Sequence, residues 1–159
     1  MKIEIVCVGK LKEKYLVDAI KEYSKRLSRY VKLNIIELPD EKTPDNASAK
    51  EEEMIKDKEG QKILSKIADS AYVIALNLKG DMKTSEEFAK MISTIALNGN
   101  SHIIFVIGGS LGIAPDVLKR ANYKLCFSKM TFPHQLFRVM LLEQIYRAYR
   151  INNHEPYHK

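Results

Sequence analysis

Short apolar runs rich in β-branched residues alternate with amphipathic segments along the whole chain, and this alternation constrains the fold more than any other feature. The runs are KIEIVCVG, LNIIEL, AYVIALNL, HIIFVI and YKLCF. The last three, which contain AYVIAL, HIIFVI and KLCF, are almost continuously apolar, which is typical of strands covered on both faces. Strands that alternate with helices predict an α/β fold. We expect a mostly parallel sheet of five to six strands with helices on both faces.

The segments between these runs carry helical signals. Apolar residues recur every three or four positions from Leu16 to Tyr30, which predicts an amphipathic helix with a basic outer face. Residues 47–68, rich in Glu, Lys and Ala, predict a solvent-facing helix that is loosened at Gly60. Thr84 or Ser85 is suited to cap the next helix. A short helix is expected at residues 115–121, with Pro115 near its start.

The last predicted helix, at about residues 135–151, is apolar on more than one stripe. Such a helix is either buried within its own domain or packed against a second copy, so a homodimer is one of two alternatives. Its polar residues are expected to border the buried surface; they are Arg138, Gln144, Arg147 and Arg150. The polar tail of residues 152–159 contains a proline, and taken alone it predicts a frayed end.

Length and composition favour one domain over residues 1–159, since a chain of 159 residues can bury a single sizeable core. No apolar run is long enough to span a membrane, and the N-terminus is typical of a strand and not of a signal peptide. Cys7 and Cys126 lie far apart in apolar runs, which predicts buried free thiols in a cytoplasmic protein and no metal site.

The positive charge is unevenly distributed. The formal net charge is +6, and residues 10–32 hold eight Lys or Arg against three acids, a balance of +5. Residues 119–159 hold eight against two, a balance of +6, whereas residues 40–59 hold four lysines against eight acids, a balance of −4. This pattern indicates a polyanionic partner. A merely solvated surface is an alternative of equal weight.

A glycine-rich turn follows the HIIFVI strand, where Gly108, Gly109 and Gly112 occur within five residues. Ligands of open α/β sheets bind at the carboxyl ends of strands, and glycine lets a ligand lie against the backbone. The turn matches neither the dinucleotide fingerprint nor the P-loop. It therefore favours a small ligand held by backbone contacts. The segment FSKMTFPHQLF, residues 127–137, follows the last strand and is expected to face the turn across one cleft.

Five segments together resemble the ribosomal large-subunit methyltransferase H family, which belongs to the SPOUT methyltransferases. They are MKIEIVCVGK at the start, DKEG at 57–60, FVIGGSLG at 105–112, FPHQLFRVMLLEQIYRAYRI at 132–151 and NHEPYHK at the end. The resemblance covers essentially the whole chain. It implies a SPOUT-type α/β knot, in which the C-terminal part of the fold is threaded into a trefoil knot.

The resemblance also implies a function. Members use S-adenosylmethionine, form homodimers and methylate N3 of a pseudouridine in a stem-loop of 23S rRNA within the assembled ribosome. The cofactor contacts that it implies here are Leu76, Gly108, Phe127, Ser128, Lys129, Met130, Thr131 and Phe132. A non-catalytic RNA-binding or ribosome-binding protein is the alternative that the charge pattern alone permits.

The imide N3–H of pseudouridine is a weak acid and must lose its proton before or during methyl transfer. The resemblance places Arg147, Tyr157 and His158 at the substrate. We expect His158 to act as the base or to position it, Arg147 to stabilise the developing charge and Tyr157 to stack on or orient the nucleoside. His134 is expected either to orient the cofactor loop or to cap a helix, and His102 to be structural.

Overall fold

A computed structural model describes all 159 residues and has five strands and five helices. In chain order the elements are β1 (Lys2–Val8), α1 (Lys14–Leu27), β2 (Lys32–Leu38), α2 (Ala49–Leu64), β3 (Tyr72–Met82), α3 (Ser85–Leu97), β4 (His102–Ile107), α4 (Pro115–Arg120), β5 (Tyr123–Cys126) and α5 (His134–Asn152). No helix is long and apolar enough to cross a membrane.

The strands form one sheet in the order β2-β1-β4-β3-β5, and every pair is parallel. The predicted α/β class and the five-stranded sheet are confirmed. All carboxyl ends lie at the same edge of the sheet because all strands run in the same direction. β3 lies between β4 and β5, so the two loops that follow β4 and β5 are successive in the chain but do not follow adjacent strands.

Helices cover both faces of the sheet, as expected. On one face, Ile3 and Ile5 belong to a core that includes buried residues of α1, α3 and α5. On the other face, Val6 and Val8 belong to a second core with residues of α2 and α4. Successive residues of a strand point to opposite faces, and the continuous apolar runs follow from burial on both sides.

At two glycines the structure differs from what the sequence predicts. α2 runs through Gly60 without a break, and Gly60 is buried against α4. A Cβ atom at Gly60 would lie 2.6 Å from Cβ of Ala114, so glycine allows the two helices to approach. The third strand is predicted from the run AYVIALNL to end before Lys79 and Gly80, but it continues to Met82 because its end pairs with β5 after a register shift.

α5 is buried within its own chain. Leu141, Leu142 and Ile145 are completely buried in the core beneath the sheet. Arg138, expected at the border of the buried surface, is in fact only 1% exposed. Its Nη2 donates to the carbonyl oxygens of Val8 (3.0 Å) and Gly9 (2.7 Å), and its Nη1 donates to Glu37 at 2.8 Å. These bonds fasten the start of α5 to the carboxyl end of β1.

Residues 127–133 connect the edge strand β5 to α5. Because Arg138 anchors α5 at β1, this segment must pass the carboxyl ends of β3 and β4 on its way. The segment is therefore placed where a ligand at the strand ends would meet it.

Candidate functional site

A cleft of about 530 Å³ lies at the carboxyl ends of β3, β4 and β5. Three segments form most of its lining, at residues 76–79, 107–113 and 124–132, and α2 contributes Lys56. The volume is within the range of about 300–1,000 Å³ that is usual for small-ligand sites. We call this cavity the cleft. The glycine turn and the segment after β5 face each other across it, as the sequence predicted.

The glycine turn presents its backbone to the cleft. A Cβ atom at Gly108 would lie 2.8 Å from the carbonyl carbon and oxygen of Gly112, and 2.8 Å from Cγ1 of Ile113. The N–H of Gly112 donates to the carbonyl of Gly109 at 3.0 Å, and Gly112 has a φ of +89°. Glycine is required at the first position by space and at the last by its left-handed conformation.

The opposite wall of the cleft is also held by local contacts. Ser128 Oγ accepts a hydrogen bond from the N–H of Met130 at 3.0 Å, and the Ser128 carbonyl accepts one from the Cys126 thiol at 3.1 Å. The ring of Phe127 packs at 4.7 Å from the ring of Phe137 on α5. These contacts shape residues 127–132 into a wall that is both apolar and rich in backbone groups.

The structure brings seven of the eight expected cofactor residues together around this cleft. They are Leu76, Gly108, Phe127, Ser128, Met130, Thr131 and Phe132. Lys129 is exposed and lies outside the lining. His134 also lines the cleft, where burial and the charge of Arg138 lower its pKa and keep the ring neutral near pH 7. His102 is instead bonded to Glu4 at 2.8 Å, which is the structural role expected of it.

Three lysines line the cleft without having been identified from the sequence: Lys56, Lys79 and Lys124. Lys56 lies on α2, which is far in sequence from the strand ends that form the cleft, so no local pattern indicates that it lines the cleft. Lys79 and Lys124 lie within β3 and β5, the two strands that pair at this edge of the sheet.

The three expected catalytic residues lie together at the other end of α5. Nη1 of Arg147 donates to Nδ1 of His158 at 3.0 Å, and its guanidinium carbon lies 4.7 Å from the ring centroid of Tyr157. The tail is therefore docked on α5, and the sequence-based expectation of a frayed end is wrong. We call Arg147, Tyr157 and His158, with the two glutamates described next, the C-terminal cluster.

Two glutamates that sequence reasoning missed complete this cluster. Oε1 of Glu143 accepts bonds from Arg147 (Nη2, 2.6 Å; Nε, 3.0 Å) and from the Tyr157 hydroxyl at 3.0 Å. Burial, followed by the bond to Glu143, raises the pKa of Tyr157 to about 12. Glu86 on α3 binds Nε2 of His158 at 2.7 Å, and this bond lowers the pKa of Glu86. Tyr157 is thus neutral and Glu86 ionised.

A second cavity, of about 420 Å³, separates the cluster from the cleft. Glu143 lines this second cavity, which shares Leu125, Cys126 and Phe127 with the cleft. Arg147, Tyr157 and His158 do not line the cleft itself. Within one chain, the cleft and the C-terminal cluster therefore lie on opposite sides of residues 125–127.

The basic surface is smaller than the sequence suggested. α1 packs on α5, which joins the two basic segments of the sequence on one side of the molecule. The C-terminal arginines, however, are paired within the chain: Arg138 with Glu37, Arg147 with Glu143 and Arg150 with Glu155. The exposed α1 side chains of Lys21 and Lys25 have no acidic partner and remain available for phosphate.

The family model described as Predicted SPOUT methyltransferase matches residues 1–158. The chain belongs to this family. SPOUT membership implies that the C-terminal part of the α/β fold is threaded into a trefoil knot and that S-adenosylmethionine is the methyl donor. Residues 127–133, which pass the strand ends between β5 and α5, lie within that C-terminal part.

Curated relatives match over their full length. The chain is 70% identical to Ribosomal RNA large subunit methyltransferase H 1 of Clostridium perfringens (strain SM101) over 159 residues, covering all of both chains. Ribosomal RNA large subunit methyltransferase H of Clostridium botulinum (strain Alaska E43) is also 70% identical, and that of Clostridium kluyveri (strain ATCC 8527) is 67% identical, each with complete coverage.

The residues of the cleft fit the SPOUT cofactor. An adenosyl group is largely uncharged, and the cleft offers it backbone groups around Gly108, where a side chain has no room. Apolar side chains of the 127–132 wall face the turn. No group of three or more His, Cys, Asp or Glu side chains is arranged to hold a metal ion.

Proposed function

We propose that this chain transfers a methyl group from S-adenosylmethionine to N3 of a pseudouridine in 23S rRNA, acting in the cytoplasm on a stem-loop of the assembled ribosome. The observation that carries the proposal is the cleft of a SPOUT family member, closed by the glycine turn on one side and residues 127–132 on the other. The names of relatives at 67–70% identity support ribosomal RNA as the substrate. The activity is assigned to one domain, residues 1–159.

The cofactor is held by Leu76, Gly108 and residues 127–132 in this proposal. When bound, S-adenosylmethionine supplies an electrophilic methyl group. The chain contributes backbone donors and acceptors at the glycine turn and apolar contacts from the opposite wall. Displacement at a methyl group requires an in-line approach, so holding the acceptor nitrogen in that line supplies much of the rate.

The C-terminal cluster removes the N3 proton of the imide. His158 accepts it or positions the acceptor, and Arg147 stabilises the negative charge that develops on the base. Tyr157 orients the nucleoside through its ring, since its hydroxyl is already engaged in donating to Glu143 at 3.0 Å. The contacts among Arg147, Tyr157 and Glu143 support this assignment, since they order the tail before substrate arrives.

A homodimer is part of the proposal. Leu78, Met82, Met130 and Leu136 are apolar side chains that are at least 39% exposed, and Leu78 and Met130 lie at the cleft. Exposed apolar groups at one site favour an interface, and a second copy packed at the cleft would bury Leu78 and Met130.

A non-catalytic ribosome-binding protein is the second candidate, favoured by the unpaired lysines of α1. Calorimetric titration with S-adenosylmethionine separates the two. A methyltransferase gives saturable heat, whereas a protein that only binds the ribosome gives none.

The function is tested by incubating the purified chain with radiolabelled S-adenosylmethionine and either intact ribosomes or protein-free 23S rRNA. We expect label in the 23S rRNA of intact ribosomes and much less in the free RNA. Label in neither substrate, from a chain that binds the cofactor, would contradict the proposal.

The role of the tail is tested by removing residues 154–159. Methyl transfer should fall sharply while cofactor binding and the dimer persist, because the cleft lies apart from the tail. Unchanged transfer by the truncated chain would show that the cluster has no part in the reaction.

A further inference from the structure

Both ring nitrogens of His158 have partners in the docked tail. Nδ1 lies 3.0 Å from Nη1 of Arg147, and Nε2 lies 2.7 Å from Oε1 of Glu86. His158 is on the tail, Arg147 on α5 and Glu86 in the first turn of α3. Three parts of the chain therefore converge on one imidazole ring.

The chemistry of the two partners determines where the proton of the ring lies. A guanidinium has only N–H donors, so Nδ1 of His158 must accept through its lone pair. The Glu86 side chain is 62% exposed, so its carboxylate is ionised in water at neutral pH and can only accept, and Nε2, at 2.7 Å, must donate. The two contacts together are satisfied by the neutral ring with its proton on Nε2. The other neutral tautomer would break both bonds.

We propose that Glu86 is a positioning residue of the methyltransferase, which fixes His158 as the Nε2–H tautomer and so presents the lone pair of Nδ1 for proton transfer. The inference rests on the proposed function and names a residue to which the sequence assigns only a favourable charge in the first turn of a helix. The relation is the one in which a carboxylate orients a general base through its far nitrogen.

Arg147 occupies that lone pair until substrate arrives. In the reacting complex the imide N3–H bond breaks, its proton goes to Nδ1 of His158, and its electron pair stays on N3. Nη1 of Arg147 must leave Nδ1 for this to occur, and it is then free to donate to the anionic base. The imidazolium that forms keeps its Nε2–H bond to the Glu86 carboxylate, which stabilises the new positive charge.

Apart from this contact, Glu86 contributes only the favourable charge of a first-turn acid and local bonds to its own backbone and to Thr84. Its side chain is 62% exposed, and the capping box of α3 is built from Thr84 and Glu87 instead. Exposed ion pairs add little to folding stability, so Glu86→Ala should fold normally. Glu52→Ala is a matched control, since it removes the same charge from an exposed first-turn position of α2 without touching the cluster.

The tautomer is measured by long-range ¹H–¹⁵N NMR of the four histidines in the full-length protein at a pH where His158 is neutral, with the His158 signals assigned from the spectrum of His158→Gln. We expect an unprotonated Nδ1 and a protonated Nε2 in the wild type and in Glu52→Ala. Glu86→Ala should raise the Nδ1–H fraction by about two- to fivefold, the range an exposed ion pair supports. Glu86→Gln, whose amide oxygen still accepts, should show a smaller change.

Kinetics provide the second measurement. Glu86→Ala should lower kcat for ribosome methylation by about two- to fivefold, the range that loss of one exposed ion pair to the imidazolium supports, with KM for ribosomes unchanged. Glu86→Gln should lie between Glu86→Ala and the wild type.

A protonated Nδ1 in the wild type, or a Glu86→Ala spectrum and kcat equal to the wild type, would overturn the role of Glu86. Absence of methyl transfer by the wild-type protein would instead refute the proposed function. The NMR result is independent of methylation, so the two failures are distinguishable.

Discussion

Replacing Gly108 with alanine tests whether the backbone of the glycine turn forms the cofactor site. The added methyl group would lie 2.8 Å from the backbone of Gly112 and from the side chain of Ile113. Carbon atoms in contact are normally about 3.5–4.0 Å apart, so the turn must open by about 0.7 Å or more. The Gly112 backbone cannot rotate away as a side chain can. The strain of such overpacking is about 1–3 kcal/mol.

The variant relieves this strain by moving the turn, and the moved turn no longer matches the cofactor. To bind, the turn must return to its strained position. A strain of about 2 kcal/mol therefore corresponds to about 30-fold weaker binding. Calorimetric titration of Gly108→Ala with S-adenosylmethionine measures this loss. Gly99→Ala is the control, because Gly99 has a φ of +91° and an added Cβ would have no neighbour within 4 Å. It should strain the backbone after α3 without altering affinity. A folded Gly108→Ala protein with wild-type affinity would refute this view of the turn.

Three further outcomes are expected. Arg138→Met removes the donor to the carbonyl oxygens of Val8 and Gly9. Chemical denaturation should show a free energy of unfolding lower by about 3 kcal/mol. A decrease below about 1 kcal/mol would contradict the anchoring of α5. Reversing Lys21 and Lys25 to glutamate should weaken ribosome binding and make its salt dependence shallower, while cofactor binding is unchanged; equal loss of both would count against this surface. Burial is the main cause that raises the pKa of Tyr149 and Tyr157 from 10.0 to about 12. Their contribution to the free energy of unfolding is therefore complete below pH 10 and is lost as the pH rises to 12. An ultraviolet titration in which all tyrosines are ionised by about pH 11 would exclude these raised pKa values.

The strands and their environment could be predicted because burial on both faces leaves a direct trace in the sequence. The extension of β3 could not, since it depends on a register shift against β5. The sequence places Gly80 just after the predicted end of this strand, yet a Cβ atom there would lie 2.6 Å from the backbone carbonyl of Lys124. The glycine is needed for close approach of two strands, and only the tertiary pairing reveals this.

The cleft was predictable in part. Glycines after one strand and a proline-containing segment after another both marked strand ends, and they do face each other. Their separation by β3 follows from the order of the strands, and the position of Lys56 at the cleft follows from the packing of α2. Neither property has a local sequence signal.

The C-terminal cluster shows the same limit. Arg147, Tyr157 and His158 were identified through family resemblance, since the residues alone predicted a frayed tail. Glu143 was accessible, because it precedes Arg147 by four positions and such pairs meet on a helix. Glu86 lies 72 residues from His158 in sequence, so only the fold brings them together.

The central claim is tested most directly by mass spectrometry of 23S rRNA from cells that lack this protein. We expect one pseudouridine to lose a single methyl group at N3. Wild-type protein should restore it, and a chain without residues 154–159 should not. An unchanged methylation pattern in the deleted cells would contradict the proposed function.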